Sequence, residues 1–212
     1  MSQSTSVLSM GKFVKLVLGA VIFLVLITYL IKGCNGQNVT RETEKDSIIQ
    51  TSAEPPGISR EPIKVTLPNG KVLDAYKGGM EDMMVIFLND SSAKAGKDVW
   101  FDFNELNFKY GTAEILPESQ RQLNNIIKIM KGYPNLKVKI GGYTDKVGTE
   151  PVNKKLSQDR ANAIQLLLTQ AGLSAQLTGA EGYGSEFAKY PADAPEENRV
   201  KDRRVSLSVR SK

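Results

Sequence analysis

The stretch GYTDKVGTEPVNKKLSQDRANAIQLLL, residues 142–168, indicates how the main part of the chain folds. Its second half has the apolar periodicity of an amphipathic helix. The apolar positions of this face are Leu156, Ile164, Leu167 and Ala171. Arg160 falls among them, although an arginine is almost never fully buried without a partner. We therefore expect Arg160 to hold an anion near the edge of the buried face.

Two other polar groups are expected to lie close to Arg160. Asn153 precedes it by two helical turns and so lies on nearly the same face of the helix. A strand ending at Ile140 leads into Thr144 and Asp145, and the helix follows after a short connection. A carboxylate, an amide and a guanidinium should therefore converge at one rim of the domain.

Asp145 and Arg160 can be interpreted in two ways. They could form a structural ion pair, which would add little stability because desolvation offsets the Coulomb attraction. They could instead bind a zwitterion, with the carboxylate meeting an ammonium group and the guanidinium gripping a carboxylate through two parallel hydrogen bonds. The residue pattern alone leaves both interpretations open.

The neighbouring segments alternate between strand and helix patterns. An aromatic-rich strand is predicted from Val99 to Phe108, and a helix that begins near Pro117 ends at Gly132. Further strands are predicted over 136–140, 176–183 and 205–209, the second helix from Pro151 or Val152 to Ala171, and a helical turn over 196–202. The order β-α-β-α-β-(α)-β predicts an α/β fold, an α+β sandwich with helices packed on a small mixed sheet.

An apolar run near the N-terminus predicts a single transmembrane helix ahead of this fold. Residues 16–31 contain no Asp, Glu, Lys or Arg and are flanked by lysines. Sixteen residues span roughly 24 Å, and adding residues 13–14 approaches the ~30 Å hydrocarbon core of a bilayer. Without an acidic or basic side chain the helix is expected to anchor the chain rather than relay protons. We assign residues 1–11 to a short tail and 12–32 to the anchor.

The simplest topology keeps the short tail inside the cell membrane and exports the C-terminal domain to the periplasm. The lysines that flank both ends of the apolar run specify this orientation only weakly. An alternative is a cleaved signal peptide and a lipoprotein attached through Cys34, because Ile31-Lys32-Gly33-Cys34 resembles a lipoprotein cleavage box. Lys32 stands where a small residue is usual, which disfavours this alternative.

Two segments separate the anchor from the main domain. Residues 33–62 are polar, lack apolar periodicity and predict a flexible linker. A flexible chain of this length spans about 30 Å on average and roughly 100 Å when stretched. Residues 63–97 form a small block that contains a hairpin around Asn69-Gly70 and a buried element at MMVIFL. This block is expected to pack on the main domain, residues 98–212.

The composition excludes several classes of function. Histidine is absent and Cys34 is the only cysteine, so Ser-His-Asp catalysis, Cys-His catalysis and the usual zinc sites are not expected. The net charge of +5 is mild, and no tight run of Lys and Arg indicates nucleic acid binding. No cofactor or metal is predicted, and the sequence identifies no oligomeric partner.

Three stretches, taken in order, carry a family resemblance. GGYTDKVGTEPVNKKLSQDRANAI, AEGYGS and NRVKDRRVSLSV resemble the OmpA-like C-terminal domain. This is the peptidoglycan-binding module of outer-membrane protein A, peptidoglycan-associated lipoprotein and flagellar motor B proteins. The resemblance spans roughly residues 99–210. It implies non-covalent binding of the peptide stem of the cell wall through diaminopimelate, whose side-chain end is a zwitterionic amino acid.

The resemblance also implies a set of binding residues. By motif position, Asp145 and its neighbour Thr144 form the Thr-Asp turn, and Arg160 is the arginine that holds the ligand together with the aspartate. Asn153 matches the asparagine ahead of the Leu-Ser pair, and Arg203 matches the final motif. The early asparagine of the family corresponds to Asn107, in a loop that varies within the family.

Strand alternation distinguishes the two neighbouring arginines of the final motif. Arg203 has the same parity as Val205 and Leu207, so it is expected to face inward and Arg204 outward. The chain departs from the family at two positions. Tyr143 replaces the usual histidine, which should alter only local packing, and Asp202 replaces an asparagine and adds negative charge near the arginines.

We therefore expect a membrane-anchored protein that binds peptidoglycan without catalysis. One alternative is a wall-processing enzyme, which would need a carboxylate pair such as Glu181 and Asp145, although their spacing does not support it. Another alternative is a scaffold or stator subunit of an envelope machine. A stator needs an acidic residue in its membrane helix, and residues 13–31 contain none.

Overall fold

The computed structural model describes residues 61–212. The predicted tail, the transmembrane helix, Cys34 and almost all of the linker lie outside the described residues. Within 61–212, no helix has the length and apolar character needed to cross a bilayer. The predicted anchor at 12–32 therefore stays a prediction.

The described residues contain six strands and four α-helices. The strands are β1 (Pro62–Thr66), β2 (Val72–Tyr76), β3 (Trp100–Asp102), β4 (Lys137–Gly142), β5 (Leu177–Gly182) and β6 (Val205–Ser211). The helices are α1 (Met80–Asn89), α2 (Gln120–Gly132), α3 (Glu150–Gln170) and the four-residue α4 (Glu196–Arg199). Short 3-10 turns at Pro117–Ser119 and Ser174–Gln176 precede α2 and β5.

The main sheet has four strands in the order β3-β6-β4-β5. Strands β4 and β5 are parallel, while β6 is antiparallel to both β3 and β4. Ile140 of β4 pairs with Leu207 of β6, and Val205, Leu207 and Val209 are buried in the core. The predicted small mixed sheet with helices packed on it is confirmed.

Two glycines let α3 approach the carboxyl ends of β4 and β5. A Cβ atom at Gly142 would lie 2.1 Å from the backbone oxygen of Ser157, and one at Gly182 would lie 2.2 Å from the backbone nitrogen of Gln158. Side-chain hydrogen bonds hold the same contact, because the N–H of Gly182 donates to Gln158 Oε1 at 2.9 Å. The first turns of α3 are thereby held against the loop that follows β4.

The buried face of α3 differs from the predicted one by about one position. Its buried residues are Asn153, Ser157, Arg160, Ala161, Ile164 and Leu168. Leu156 and Leu167, which were expected on this face, are only half-buried. The reason is the close approach to Gly142 and Gly182, which favours small side chains along the line nearest the sheet and moves the leucines to its flanks. The prediction that Arg160 lies on the buried face is confirmed, at 9% exposure.

The first predicted strand is much too long. Strand β3 ends at Asp102, and residues 103–116 form a loop with one isolated bridge between Phe108 and Ile115. The chain leaves the sheet because its polar groups contact other helices. Asn104 Oδ1 accepts a hydrogen bond from the N–H of Met80 at the start of α1, at 3.3 Å. The N–H of Glu105 donates to Gln122 of α2, at 2.9 Å.

Residues 61–97 share the core of the domain. The hairpin predicted around Asn69-Gly70 is confirmed as β1 and β2, and the MMVIFL segment lies within α1. Leu73 and Met84 belong to the same buried apolar cluster as Leu123 of α2. At the centre of the contact between α1 and α2, the carboxylate of Glu81 is buried and accepts hydrogen bonds from two amide side chains of α2.

Candidate ligand-binding site

Asp145 lies at the centre of the candidate site, in the loop between β4 and α3. Its side chain is 9% exposed. Oδ2 accepts a hydrogen bond from Arg203 Nη1 at 2.7 Å and a longer one from Arg199 Nη1 at 3.4 Å. Oδ1 accepts the backbone N–H of Val147 at 3.1 Å. Two arginines from the segment before β6 are thus brought to the carboxylate.

Asn153 fixes the loop that carries Asp145. Its Nδ2 donates to the backbone oxygens of Asp145 at 3.3 Å and of Val147 at 3.0 Å. Asn153 is buried in the first turn of α3, so the loop is tied to the helix that also carries Arg160. The amide therefore positions the aspartate through the backbone rather than through its carboxylate.

Arg160 is buried but does not pair with Asp145. Its Nε donates to the backbone oxygen of Thr112 at 2.9 Å, and its guanidinium carbon lies 5.0 Å from the centre of the Phe108 ring. Among residues 61–212, the Nε–Thr112 contact is its one hydrogen bond. Burial lowers the pKa of Arg160, Arg203 lowers it further, and Asp145 opposes both effects. The interpretation of Asp145 and Arg160 as a structural ion pair is therefore wrong.

Arg199 and Arg203 are held by a second carboxylate, Glu196. Arg199 Nη2 lies 2.7 Å from Glu196 Oε2, and Arg203 Nη2 donates to Glu196 Oε1. Burial alone would lower the pKa of Arg203, but its hydrogen bonds to Glu196 and Asp145 raise it overall. The cluster therefore contains three guanidinium groups, those of Arg160, Arg199 and Arg203, and two carboxylates, those of Asp145 and Glu196. Its net charge is one positive charge.

The structure places the other expected residues less centrally. Thr144 is buried, and its Oγ1 is a buried side-chain atom that has no hydrogen-bond partner within residues 61–212. Asn107 is exposed, and its backbone is held by Ser119 and Leu116. Asn107 does not contact Asp145. It lines a separate cavity together with Arg203.

The two departures from the family pattern lie beside the site. Tyr143 stacks on Tyr183 with ring centres 5.1 Å apart, and the guanidinium carbon of Arg204 lies 4.2 Å from the Tyr143 ring. Arg203 reaches Asp145, but the expectation that Arg204 faces outward is wrong, because Arg204 packs against Tyr143 and its side chain is 19% exposed, against 28% for Arg203. The carboxylate of Asp202 accepts the N–H groups of Lys189 and Tyr190 at 2.9 and 3.0 Å, so it orders the preceding loop.

Three contacts of the site were missed by sequence reasoning. Arg199 lies within the NRVKDRRVSLSV stretch and ends the short helix α4, four residues before Arg203. This spacing was the available signal that Arg199 belongs to the site. Phe108 was assigned to the first strand. Thr112 contributes its backbone oxygen, for which the sequence gives no signal.

Glu181, the residue named for a catalytic pair, forms an ion pair with Lys139 instead. This contact is the main reason why the pKa of Glu181 is lowered. A glycosidase needs one carboxylic acid whose pKa is raised, so the environment of Glu181 is unsuited to that role. Within residues 61–212, no cluster of three or more His, Cys, Asp or Glu residues could hold a metal ion.

Part of the chain is similar to known proteins. Residues 107–203 match the model of the OmpA family. Outer membrane porin F of Pseudomonas fluorescens is 34% identical over 112 residues, which are 53% of this chain and 32% of that porin. The peptidoglycan-binding protein ArfA of Mycobacterium bovis is 33% identical over 97 residues, 46% of this chain and 29% of that protein. The matched stretch thus covers about a third of these relatives.

A solved structure, the peptidoglycan-associated lipoprotein of Burkholderia pseudomallei, is 27% identical. It covers 49% of this chain and 87% of that one, with a TM-score of 0.44. Residues 107–203 of this chain form a domain of the OmpA family.

Proposed function

We propose that this chain binds peptidoglycan non-covalently through the diaminopimelate of the stem peptide and tethers a membrane to the cell wall. A relative that is 33% identical over 97 residues carries the name peptidoglycan-binding protein, which supports the ligand class. The binding site would be the cluster around Asp145. The tether would be the predicted anchor at 12–32, with the linker at 33–62 giving it reach.

The guanidinium of Arg160 is the observation that carries the proposal. A guanidinium offers five N–H donors, and the only one hydrogen-bonded within residues 61–212 is the Nε–H, which contacts Thr112. Its side chain lies on a buried face, where an unpaired charge is costly. A bound carboxylate would satisfy the two Nη groups through parallel hydrogen bonds and would neutralise the net positive charge of the cluster.

The remaining residues suit the other half of a zwitterion. Asp145 uses Oδ2 for Arg203 and Arg199, whereas Oδ1 accepts one backbone N–H and keeps capacity for an ammonium group. Asn153 would hold the loop in the binding geometry. The hydroxyl of Thr144, which is buried and has no hydrogen-bond partner within residues 61–212, would bind the ligand, and Asn107 would contact the ligand from the side of Arg203.

Non-catalytic binding is favoured over wall processing. The lowered pKa of Glu181 argues against a general acid at that position. We therefore propose that the chain grips the wall and leaves it chemically unchanged. Incubation of the protein with sacculi should release no soluble muropeptides, whereas steady release would establish the enzymatic alternative.

Binding of purified sacculi tests the proposal. We expect the wild-type chain to sediment with sacculi, and we expect Arg160→Ala and Asp145→Ala to lose at least tenfold in affinity, since each removes a charged partner of the ligand. Titration with free diaminopimelate and with a lysine-type stem peptide would identify the ligand. A preference for diaminopimelate is expected, because lysine lacks the side-chain carboxylate that Arg160 would bind.

Arg210→Ala is the matched control. Arg210 is also an arginine, but its guanidinium lies over Trp100, 5.5 Å from the ring centre, and it forms no ion pair with Asp145 or Glu196. This variant removes the same charge and should sediment with sacculi as wild type does. If Arg160→Ala and Asp145→Ala keep their fold by circular dichroism and bind as well as wild type, the site assignment is wrong.

A further inference from the structure

A cavity of about 370 Å³ lies beside the cluster around Asp145. We name it the α1 cavity, because the start of α1 forms one wall. The loop after β3 and the segment between α4 and β6 form the others. Arg203 lines the cavity and also donates to Asp145, so the two sites share one guanidinium. A ligand held at Asp145 and Arg203 would therefore lie next to this cavity.

The α1 cavity combines apolar walls with hydrogen-bond donors. Met80, Trp100, Phe103 and Leu106 supply apolar surface. Asn107 is exposed, and its side-chain amide makes no hydrogen bond within residues 61–212. Asn104 uses its Oδ1 for Met80 and Gln122, which leaves its Nδ2 as a donor. This pattern suits a ligand with small apolar groups and carbonyl oxygens, as in a short peptide.

The charges around the α1 cavity favour an acidic ligand. Three cations, Lys201, Arg203 and Arg204, line it against one carboxylate, that of Asp102. Asp102 Oδ1 lies 3.5 Å from Arg204 Nε and also accepts a hydrogen bond from Ser206. Arg203 is already paired with Asp145 and Glu196, and Arg204 with Asp102, so Lys201 is the cation of the lining that would attract a carboxylate of the ligand.

The mouth of the α1 cavity is apolar and belongs to a part of the chain outside the family match. Met83 of α1 is 52% exposed and Val200 is 39% exposed, although both are large apolar residues. Met80 and Met83 precede residue 107, where the match to the OmpA family begins. The cavity is thus partly built by the block at 63–97, which packs on the family domain.

We propose that the α1 cavity binds the residues of the stem peptide next to the diaminopimelate, with their carbonyl groups and a carboxylate facing the donors. This inference rests on the proposed function. The zwitterionic end of the diaminopimelate would occupy the Asp145 cluster, and the peptide would pass Arg203 into the cavity. A stem peptide should therefore bind more tightly than free diaminopimelate.

Titration of the full-length chain in detergent with two probes tests this inference. The probes are free diaminopimelate and a stem tetrapeptide that contains it. We expect the tetrapeptide to bind wild type about tenfold more tightly, the equivalent of about 1.4 kcal/mol. Met83→Trp would fill the mouth of the cavity and should abolish this advantage while leaving the affinity for free diaminopimelate unchanged.

Ile86→Trp is the matched control. Ile86 lies three residues further along α1, is 61% exposed and does not line the cavity, so this variant should keep the tenfold advantage. Equal affinity of wild type for both probes, or an undiminished advantage in Met83→Trp, would overturn the inference and leave the proposed function standing. If wild type binds neither probe, the proposed function fails, and this inference fails with it.

Discussion

Arg160 combines a position on a buried face with the proposed role of binding the ligand. Its stem lies on the buried face of α3, its guanidinium carbon lies 5.0 Å from the centre of the Phe108 ring, and its Nε donates to the backbone oxygen of Thr112. These contacts fix the orientation of the guanidinium before any ligand arrives, so little rotamer entropy remains to be lost on binding. A lysine could not make the same set of contacts, because it has neither the planar fork nor the Nε donor.

Tyr143, which stands where the family has a histidine, predicts a pH dependence of stability. Burial raises the pKa of Tyr143 to about 12, against an opposing effect of Arg204. Above pH 10 the unfolded chain loses this proton while the native chain keeps it, so the free energy of unfolding falls as pH rises towards 12. Between pH 9 and pH 11 the loss from this group should be about 1 kcal/mol.

Urea unfolding of Tyr143→Phe at pH 9 and pH 11 measures this contribution. The variant has no phenol to titrate, so its stability should fall by about 1 kcal/mol less than that of wild type over the same interval. Tyr110→Phe is the control, because Tyr110 is 97% exposed and its substitution should leave the pH dependence unchanged. If Tyr143→Phe follows the wild-type curve, the phenol is not buried in the way described.

At the scale of elements, the helices were predicted better than the contacts between them. The periodicity of α2 and α3 and the glycine after α3 were sufficient to locate both helices. The exact buried line of α3 was not predictable, because it depends on the close approach to Gly142 and Gly182 from two strands that are distant in sequence. The first strand was predicted too long for a similar reason, since Asn104 contacts the start of α1 across 24 positions of sequence.

The contact between α1 and α2 depends on the buried carboxylate of Glu81. It accepts hydrogen bonds from Gln122 Nε2 at 3.2 Å and Asn125 Nδ2 at 3.0 Å, and Arg121 Nη1 lies 3.7 Å away. Glu81→Ala would remove one acceptor from each of the buried amides of Gln122 and Asn125. We expect residues 61–212 of this variant to lose about 2–4 kcal/mol of unfolding free energy, measured by urea denaturation.

Glu118→Ala is the matched control for this loss. Glu118 is an exposed glutamate near the start of α2, so its removal should change stability by less than about 0.5 kcal/mol. Both variants should unfold in a single transition, because the block at 63–97 and the rest of the domain share one core. A separate early transition in wild type would instead show that the block unfolds independently.

For the whole molecule, the position of the site follows from where three segments meet. The loop after β4 supplies Asp145, α3 supplies Arg160, and the segment before β6 supplies Arg203 and Arg199. Sequence motifs predicted Asp145, Asn153, Arg160 and Arg203 as one set. They did not predict that Arg203, rather than Arg160, pairs with Asp145, because that choice depends on the three-dimensional course of the segment from α4 to β6.

At the scale of the whole chain, the tethering proposal depends on attachment to a membrane. Two modes of attachment make different predictions. If residues 12–32 form a transmembrane helix, Cys34→Ser should leave the chain in the membrane fraction after an alkaline carbonate wash. If the chain is a lipoprotein, Cys34→Ser should remove the lipid and prevent processing at that position. We expect the first result, because Lys32 stands where a lipoprotein box usually has a small residue.

Val25→Arg is the complementary variant, since an arginine in the middle of the apolar run costs about 2.5–3.5 kcal/mol of insertion free energy and should weaken membrane retention. If Cys34→Ser instead loses membrane retention and migrates differently from wild type on gels, the chain is a lipoprotein. The tether would then begin at residue 34.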